Sequence, residues 1–294
     1  LHDLNDAPIN YPRGIMSIIH DMPAEQYHAT DAVSNGMLTA MAESPYHCWA
    51  KFHNPNRPQS GPTPAMKAGT LLHTALLEPW NMGGYVVRPD DVDPRTKAGK
   101  EWAAMHAGLG IITAEQHDTV KQQIKAIHAV PTLHELLCTA GAVAESSVFW
   151  VDAATGLNCR ARPDLMVTNG RRVTVLDVKS TADASPDGFG KSTAKFGYHR
   201  QAAHYTNGIE AQGLTVDAFV FATVTSSYPF IAVAYVLDAE AAAQGFEEAA
   251  ELLDLYGTCK AANNWPAYGQ GLQPLSLPKW AQRSNEIEVT YAPL

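Results

Sequence analysis

Two short acidic signatures carry the strongest chemical signal in the chain: Arg162-Pro163-Asp164, and then Leu176-Asp177-Val178-Lys179. Hydrolysing a phosphodiester needs a cation that offsets charge on the non-bridging oxygens and makes a nucleophile from water at neutral pH. Magnesium prefers hard oxygen ligands and keeps several waters, so two carboxylates suffice to hold it. Asp177 and Lys179 are two positions apart, so on a strand both face the same side. That sets an ammonium beside the metal position, where it orients the attacking water or stabilises developing charge. Gln201 and Tyr205 are four apart and share one face of a helix, within reach of the lysine, the metal water or a DNA backbone.

These residues need particular elements to bring them together. Val143 to Val151 alternates as a strand, Asp152 to Gly156 is a turn, and Leu157 to Val167 reads as a second strand. Thr168-Asn169-Gly170 forms a tight hairpin turn into a third strand, Val173 to Lys179, which places Asp164 and Asp177 side by side. A polar loop with Pro186, Gly188 and Gly190 then leads into a helix around Phe196 to Glu210. Val216 to Thr225 and Phe230 to Val236 are apolar strands, and Ala239 to Ala262 is a long amphipathic helix. Strand–strand–strand–helix–strand implies a mixed α/β sheet, with hairpins on one side and a helical crossover joining parallel strands on the other.

The first part, to about residue 140, reads as helical and loop-rich. Ser34 is placed as an N-cap, Ser44-Pro45 starts a short helix through Phe52, and Ala65 to Glu78 is a helix carrying His73 and ended by Pro79. Pro89 to Gly99 is a polar surface loop, and Thr113 with Gln116 forms a capping box for a helix to Ala129. The tail from Trp265, with Trp280 and several prolines, wraps the surface.

Composition narrows the classes. The 294 residues are 46% apolar, enough for one large domain or for a core with an extension. No apolar run is long enough to span a membrane, and Leu1 to Asp6 has neither the basic region nor the apolar run of a signal peptide. The chain starts at Leu1 without an initiator methionine, so a segment upstream is expected to be missing. Cys48, Cys138, Cys159 and Cys259 form no C-x-x-C pair, which argues against a disulfide framework, a zinc ribbon or an iron–sulfur cluster and fits reduced thiols in a cytoplasmic protein. The net charge of −9 opposes a nonspecific DNA coat, but a basic channel can coexist with an acidic exterior.

Each signature alone is weak, since D-x-K on a strand is common; in this order, on strand–turn–strand–loop–helix, they are specific. Together they resemble the PD-(D/E)xK nuclease superfamily, and more closely the RecE-type exonucleases (exodeoxyribonuclease VIII) of phages and prophages. The resemblance covers most of the chain. It runs through Ala65 to Pro79, Thr96 to Glu101, Ala144 to Ser147 and Cys159 to Asp164, then Asp177 to Asp183, Tyr198 to Tyr205 and Leu275 to Ala281. It implies a nuclease core with a mixed central sheet flanked by helices and a helical N-terminal extension. In that organisation residues 1–140 contribute His73, residues 141–294 hold the core and tail, and the two make one structural unit.

Carried over by position, the resemblance puts metal ligands at His73, Asp164, Asp177 and the Val178 carbonyl, a catalytic lysine at Lys179, and the helical pair at Gln201 and Tyr205. Read from its own surroundings, a histidine on an apolar helix face such as His73 is more often a satisfied core residue than a ligand. Glu145 binds a second metal or its water, or is a solvated strand residue. Ser34 offers a hydroxyl and free amides to a terminal 5′-phosphate, or is an ordinary cap; Lys51, Arg57 and Lys67 are further phosphate candidates. The implied activity is magnesium-dependent, with manganese as a substitute, and acts 5′ to 3′ on double-stranded DNA ends. The products are 3′ single strands for a RecT-like annealing protein, and the enzyme is a ring-shaped homo-oligomer in the bacterial cytoplasm. An endonuclease or a non-catalytic DNA-binding member of the same fold are the alternatives. Gly188-Phe-Gly-Lys-Ser192 looks like the end of a phosphate-binding loop, but Ser185 stands where its first glycine belongs, so nucleotide hydrolysis is set aside.

Overall fold

The computed structural model describes residues 16–58, 61–269 and 271–278. The chain start at Leu1 to Asp6, and Lys279-Trp280-Ala281 of the tail, lie outside them. In chain order the elements are β1 (Ser17–Ile19), α1 (Ala24–Ala29), α2 (Asn35–Glu43), α3 (Pro45–Cys48), α4 (Pro64–Leu77), β2 (Tyr85–Arg88), α5 (Lys97–Met105), β3 (Gly110–Thr113), α6 (Ala114–His128) and α7 (Pro131–Cys138). There follow β4 (Ala142–Ala144), β5 (Ser147–Val151), β6 (Asn158–Ala161), β7 (Leu165–Asn169), β8 (Arg172–Thr181), α8 (Pro186–Phe196), α9 (Tyr198–Glu210), β9 (Thr215–Thr225), β10 (Ala232–Val236) and α10 (Ala239–Ala262).

The central sheet has the order β10-β9-β8-β7-β4, with β8 and β9 parallel and every other pair antiparallel. Parallel neighbours need a crossover, which α8 and α9 supply. The middle strand β8 is apolar on both faces, as a strand covered on both sides must be. Leu176 and Val178 join Val220, Ala222 and Val224 of β9 under Leu71 and Leu72 of α4, Ile127 of α6 and Leu133 of α7. Val173 and Val175 face the other way, onto Leu38 of α2, Ile209 of α9 and Tyr256 of α10. The architecture is thus a mixed sheet between two helical layers, as the sequence pattern implies. A second small sheet, β1-β5-β6, lies beside it, so a strand of the N-terminal part pairs with the core through Ser17, Ile18 and Ile19.

Several boundaries differ from the sequence reading, each for a local reason. The expected strand from Val143 to Val151 is two strands: β4 pairs with β7 and β5 with β1 and β6, and the chain changes sheets at Glu145, whose φ is +50°. Leu157 to Val167 is likewise split by Pro163, which has no amide to give a ladder. The expected loop from Pro186 is helix α8, because Ser185 accepts the Gly188 amide as N-cap and proline is well suited to the first helical position. Part of the loop expected up to Gly99 is α5, started by the Thr96 hydroxyl on the Gly99 amide. The short strands β1, β2 and β3 lie in a region expected to be helical and looped; at three or four residues each they carry too little alternation to be read. The capping box is formed as expected, Thr113 and Gln116 bonding each other's amides at 2.9 and 3.1 Å. Trp265 of the tail stacks on His53 and meets Tyr256 edge-on. Among the described residues no helix is long and apolar enough to cross a membrane, and no cysteine is in a disulfide.

Candidate active site

The hairpin from β7 to β8 sets the geometry. Its register pairs Leu165 with Leu176, which leaves Asp164 opposite Asp177 at one end of the ladder. Asp164 is further tied down by accepting the Val178 amide on Oδ2 at 2.6 Å. Helix α4 delivers His73 to the same point, with Nδ1 3.6 Å from Asp164 Oδ2 and Nε2 3.0 Å from the Val178 carbonyl oxygen. Glu145 comes from the corner where the chain changes sheets, and its amide donates to the Asp164 carbonyl at 3.1 Å. One ligand atom each from His73, Glu145 and Asp164 lies within 4.8 Å of the other two.

Asp177 is fully buried. Its Oδ1 accepts the Gln201 amide Nε2 of α9 at 2.7 Å. Its Oδ2 forms an ion pair with Lys179, yet no aligned hydrogen bond reaches that oxygen. Lys179 also sits 4.7 Å from the centre of the Tyr198 ring, a position that favours its charge. Tyr205, one helical turn beyond Gln201, is hydrogen-bonded to it and packs on Phe219. The reading that Asp177 and Lys179 share a face, and Gln201 and Tyr205 another, therefore describes two adjoining walls.

The electrostatics follow from how closely these groups are packed. Burial pushes the Glu145 carboxyl up to about 7, and the nearby Asp164 adds to the rise. Burial also raises Asp177, with Lys179 opposing and Asp164 reinforcing the shift. Burial alone would lower Lys179, but Asp177 and Asp164 outweigh it and hold the ammonium protonated. Burial carries the Tyr205 phenol well above its ordinary range, so it stays neutral. Crowded, desolvated carboxylates are stabilised by a cation placed among them. The donor set of His73, Glu145 and Asp164 is hard, two carboxylates with one imidazole, and Asp177 adds an oxygen that Lys179 pairs with; carboxylate oxygens of this kind fit magnesium or manganese.

A cleft of about 840 Å³ opens over this cluster, its walls including Ser34, His73, Glu145, Arg160, Arg162 and Tyr205. Ser34 starts α2 but its hydroxyl makes no cap, so it is left facing the cleft. The other phosphate candidates from the sequence lie elsewhere. Lys67 lines a separate groove with Gln123 and Ser180, Lys51 lies over the Phe52 ring, and Arg57 bonds the carbonyls of Lys51 and Phe52. Arg160 and Arg162, which the sequence reading did not single out as binding residues, supply the positive charge of the cleft. Alternation along β6 was the available signal, since residues two apart share a face. Arg162 is held by Ser147 Oγ and the Met22 carbonyl, each 2.7 Å from Nη2, over the Tyr27 ring. The phosphate-loop look-alike is helical, with Ser192 Oγ donating to the Gly188 carbonyl.

The family match and the first of two solved structures agree with this architecture at the level of fold. The family profile described as "PDDEXK-like domain of unknown function (DUF3799)" matches residues 34–275. Among solved structures, the "Putative exonuclease" of Eubacterium rectale is 10% identical, with a TM-score of 0.56 over 88% of this chain and 96% of its own. The alkaline exonuclease LHK-Exo of Laribacter hongkongensis is 16% identical, covering 66% of this chain and 98% of its own at a TM-score of 0.26. No curated protein matches the sequence significantly.

Proposed function

Since the chain belongs to the PDDEXK-like domain family (DUF3799), we propose that it is a magnesium-dependent deoxyribonuclease of the RecE type that digests double-stranded DNA from its 5′ ends. The observation that carries this reading is the meeting of His73, Asp164, Asp177 and Lys179 in one cluster, beside the cleft that His73 and Glu145 line. His73, Asp164, Asp177 and the Val178 carbonyl are the residues that would hold the metal, with manganese able to replace magnesium. When bound, such an ion acidifies a water and neutralises charge on the scissile phosphate.

The protein's own groups do the rest. Lys179 presents a charged ammonium beside Asp177, where it binds a non-bridging phosphate oxygen or orients the attacking water. Gln201 fixes the Asp177 carboxylate through Oδ1, while Oδ2 pairs with Lys179. Tyr205 supports Gln201 from the next turn, and Glu145 faces the cleft where a second cation or its water would lie. Arg162 and the Ser34 hydroxyl are placed on the cleft wall to receive DNA phosphates, the latter at a helix start that favours an anion. In this reading the product is a 3′ single strand, passed to a RecT-like annealing protein in phage or prophage recombination, and a ring of identical subunits encloses the duplex. Enclosure explains how a chain of net charge −9 would stay on DNA.

Digestion of linear duplex labelled at its 5′ or 3′ end, beside a covalently closed circle, tests the proposal. Early release of 5′ label as mononucleotide, in magnesium only and from linear DNA only, is the expected result. Internal cuts in the circle would mean an endonuclease instead.

A further inference from the structure

At the junction of α6 and α7 two imidazoles and a thiol converge outside the cleft. His128 is the last residue of α6; His134 and Cys138 are four apart on α7 and so share one face. The two Nδ1 atoms are 3.0 Å apart, and Cys138 Sγ is 3.9 Å from the His134 ring nitrogens. One ligand atom from each of the three residues falls within 4.8 Å of the others. His128 is half-buried, and His134 and Cys138 are exposed.

Two imidazoles and a thiol in this arrangement have a specific chemical preference. Around tetrahedral zinc, with bonds of about 2.0–2.1 Å to nitrogen and about 2.3 Å to sulfur, the ligand atoms stand roughly 3.3 Å (N to N) and 3.6 Å (N to S) apart. The His128–His134 and His134–Cys138 distances are within a few tenths of an ångström of these values, and Cys138 and His128 present ligand atoms within 4.8 Å of each other. Thiolate and imidazole select zinc-like ions over magnesium, whereas the His73, Glu145 and Asp164 cluster has no sulfur and offers the carboxylate oxygens that magnesium accepts.

We infer that His128, His134 and Cys138 form a second, zinc-type metal site that clips the end of α6 to α7. Three protein ligands leave one position for water, and coordination releases the Cys138 thiol proton. The clip spans the turn through Ala129, Val130 and Pro131, which backbone hydrogen bonds from Ala129 to Lys125 and from Val130 to Ile127 and the packing of Ile127, Val130 and Leu133 also hold.

Cobalt provides the probe, because only a thiolate ligand gives a charge-transfer band in the near ultraviolet. Reduced, metal-free protein titrated with Co²⁺ in excess Mg²⁺ is expected to develop that band to saturation, and Zn²⁺ should abolish it. Cys138→Ser should lose the band and His134→Ala should weaken its formation. Zn²⁺ should also slow alkylation of Cys138, and the protection should disappear in His134→Ala. Cobalt in the oxygen-rich cleft gives no thiolate band, so the result is independent of any nuclease activity. A folded wild-type protein with no band, or a band that survives Cys138→Ser, would overturn the site.

Discussion

The carboxylate of Asp164 accepts the backbone amide of Val178 at 2.6 Å, so the residue that precedes β7 is locked to the strand that carries Asp177 and Lys179. The bond fixes the spacing of the two acidic residues more firmly than the hairpin alone, because it acts at the end of the ladder, where strands fray. It also gives Asp164 a structural duty separable from any role in chemistry.

That separation can be measured. Asp164→Ala leaves the buried Val178 amide without an acceptor, which costs about 1–3 kcal/mol. Asp164→Asn keeps a side-chain oxygen for the amide and should unfold in urea close to the wild type. Both variants should lose DNA cleavage. A stable, active Asp164→Ala protein would remove Asp164 from both roles.

The Asp177–Lys179 pair makes a second prediction. Lys179→Met leaves an uncompensated carboxylate in a fully buried position, and such losses cost about 3–5 kcal/mol. The double variant Asp177→Asn/Lys179→Met should recover most of that stability and none of the activity. Denaturation of the four proteins of this cycle gives the coupling directly; additive effects would mean that the pair does not interact.

A third concerns the contact between α9 and α10. Glu248 bonds Arg200 at 2.7 Å and His199 at 3.0 Å. Burial alone would raise its carboxyl, but the bonds from Arg200, Gln244 and His199 outweigh this and hold it down to about 2, against an ordinary 4.5. Because the folded value is depressed, the stabilisation is complete above about 4.5 and is lost as pH falls towards 2. Glu248→Gln should therefore lower stability by about 1–3 kcal/mol at neutral pH, with the difference from wild type shrinking through that acidic window. A difference that stays constant with pH would contradict the assignment.

The same interface sets a fourth expectation. A methyl group added at Gly245 would lie 2.4 Å from the His199 carbonyl oxygen, which is backbone and cannot rotate aside. Gly245→Ala should destabilise the protein by about 1–3 kcal/mol despite the better helix propensity of alanine. A thermal midpoint at or above that of the wild type would show that α10 can shift away.

Much of this was legible in the sequence because it rests on short-range patterns. The parallel core strands announce themselves as apolar runs, α10 as a long amphipathic repeat, and the Asn169-Gly170 turn as a hairpin signal that brings Asp164 next to Asp177. The position of His73 was named from family resemblance, since nothing in helix α4 itself says which strand it meets. Other features depend on long-range geometry. The left-handed backbone at Glu145 splits one apparent strand into two sheets, and no periodicity records that. Proline and glycine in α8 were read as loop residues, although proline at a first turn starts a helix. Arg160 and Arg162 enter the cleft only because β6 pairs with β5 and packs near α1, so their role could not be ranked above that of Lys51 or Lys67 from spacing.

The most direct test of the central proposal compares wild type with Asp177→Asn on a 5′-labelled linear duplex, with cleavage measured in magnesium and end binding measured in calcium. We expect the wild type to release 5′-terminal mononucleotide and the variant to bind the duplex while leaving it intact. Cleavage by Asp177→Asn at the wild-type rate would contradict the site, and no cleavage by either protein would contradict the assignment as a magnesium-dependent nuclease.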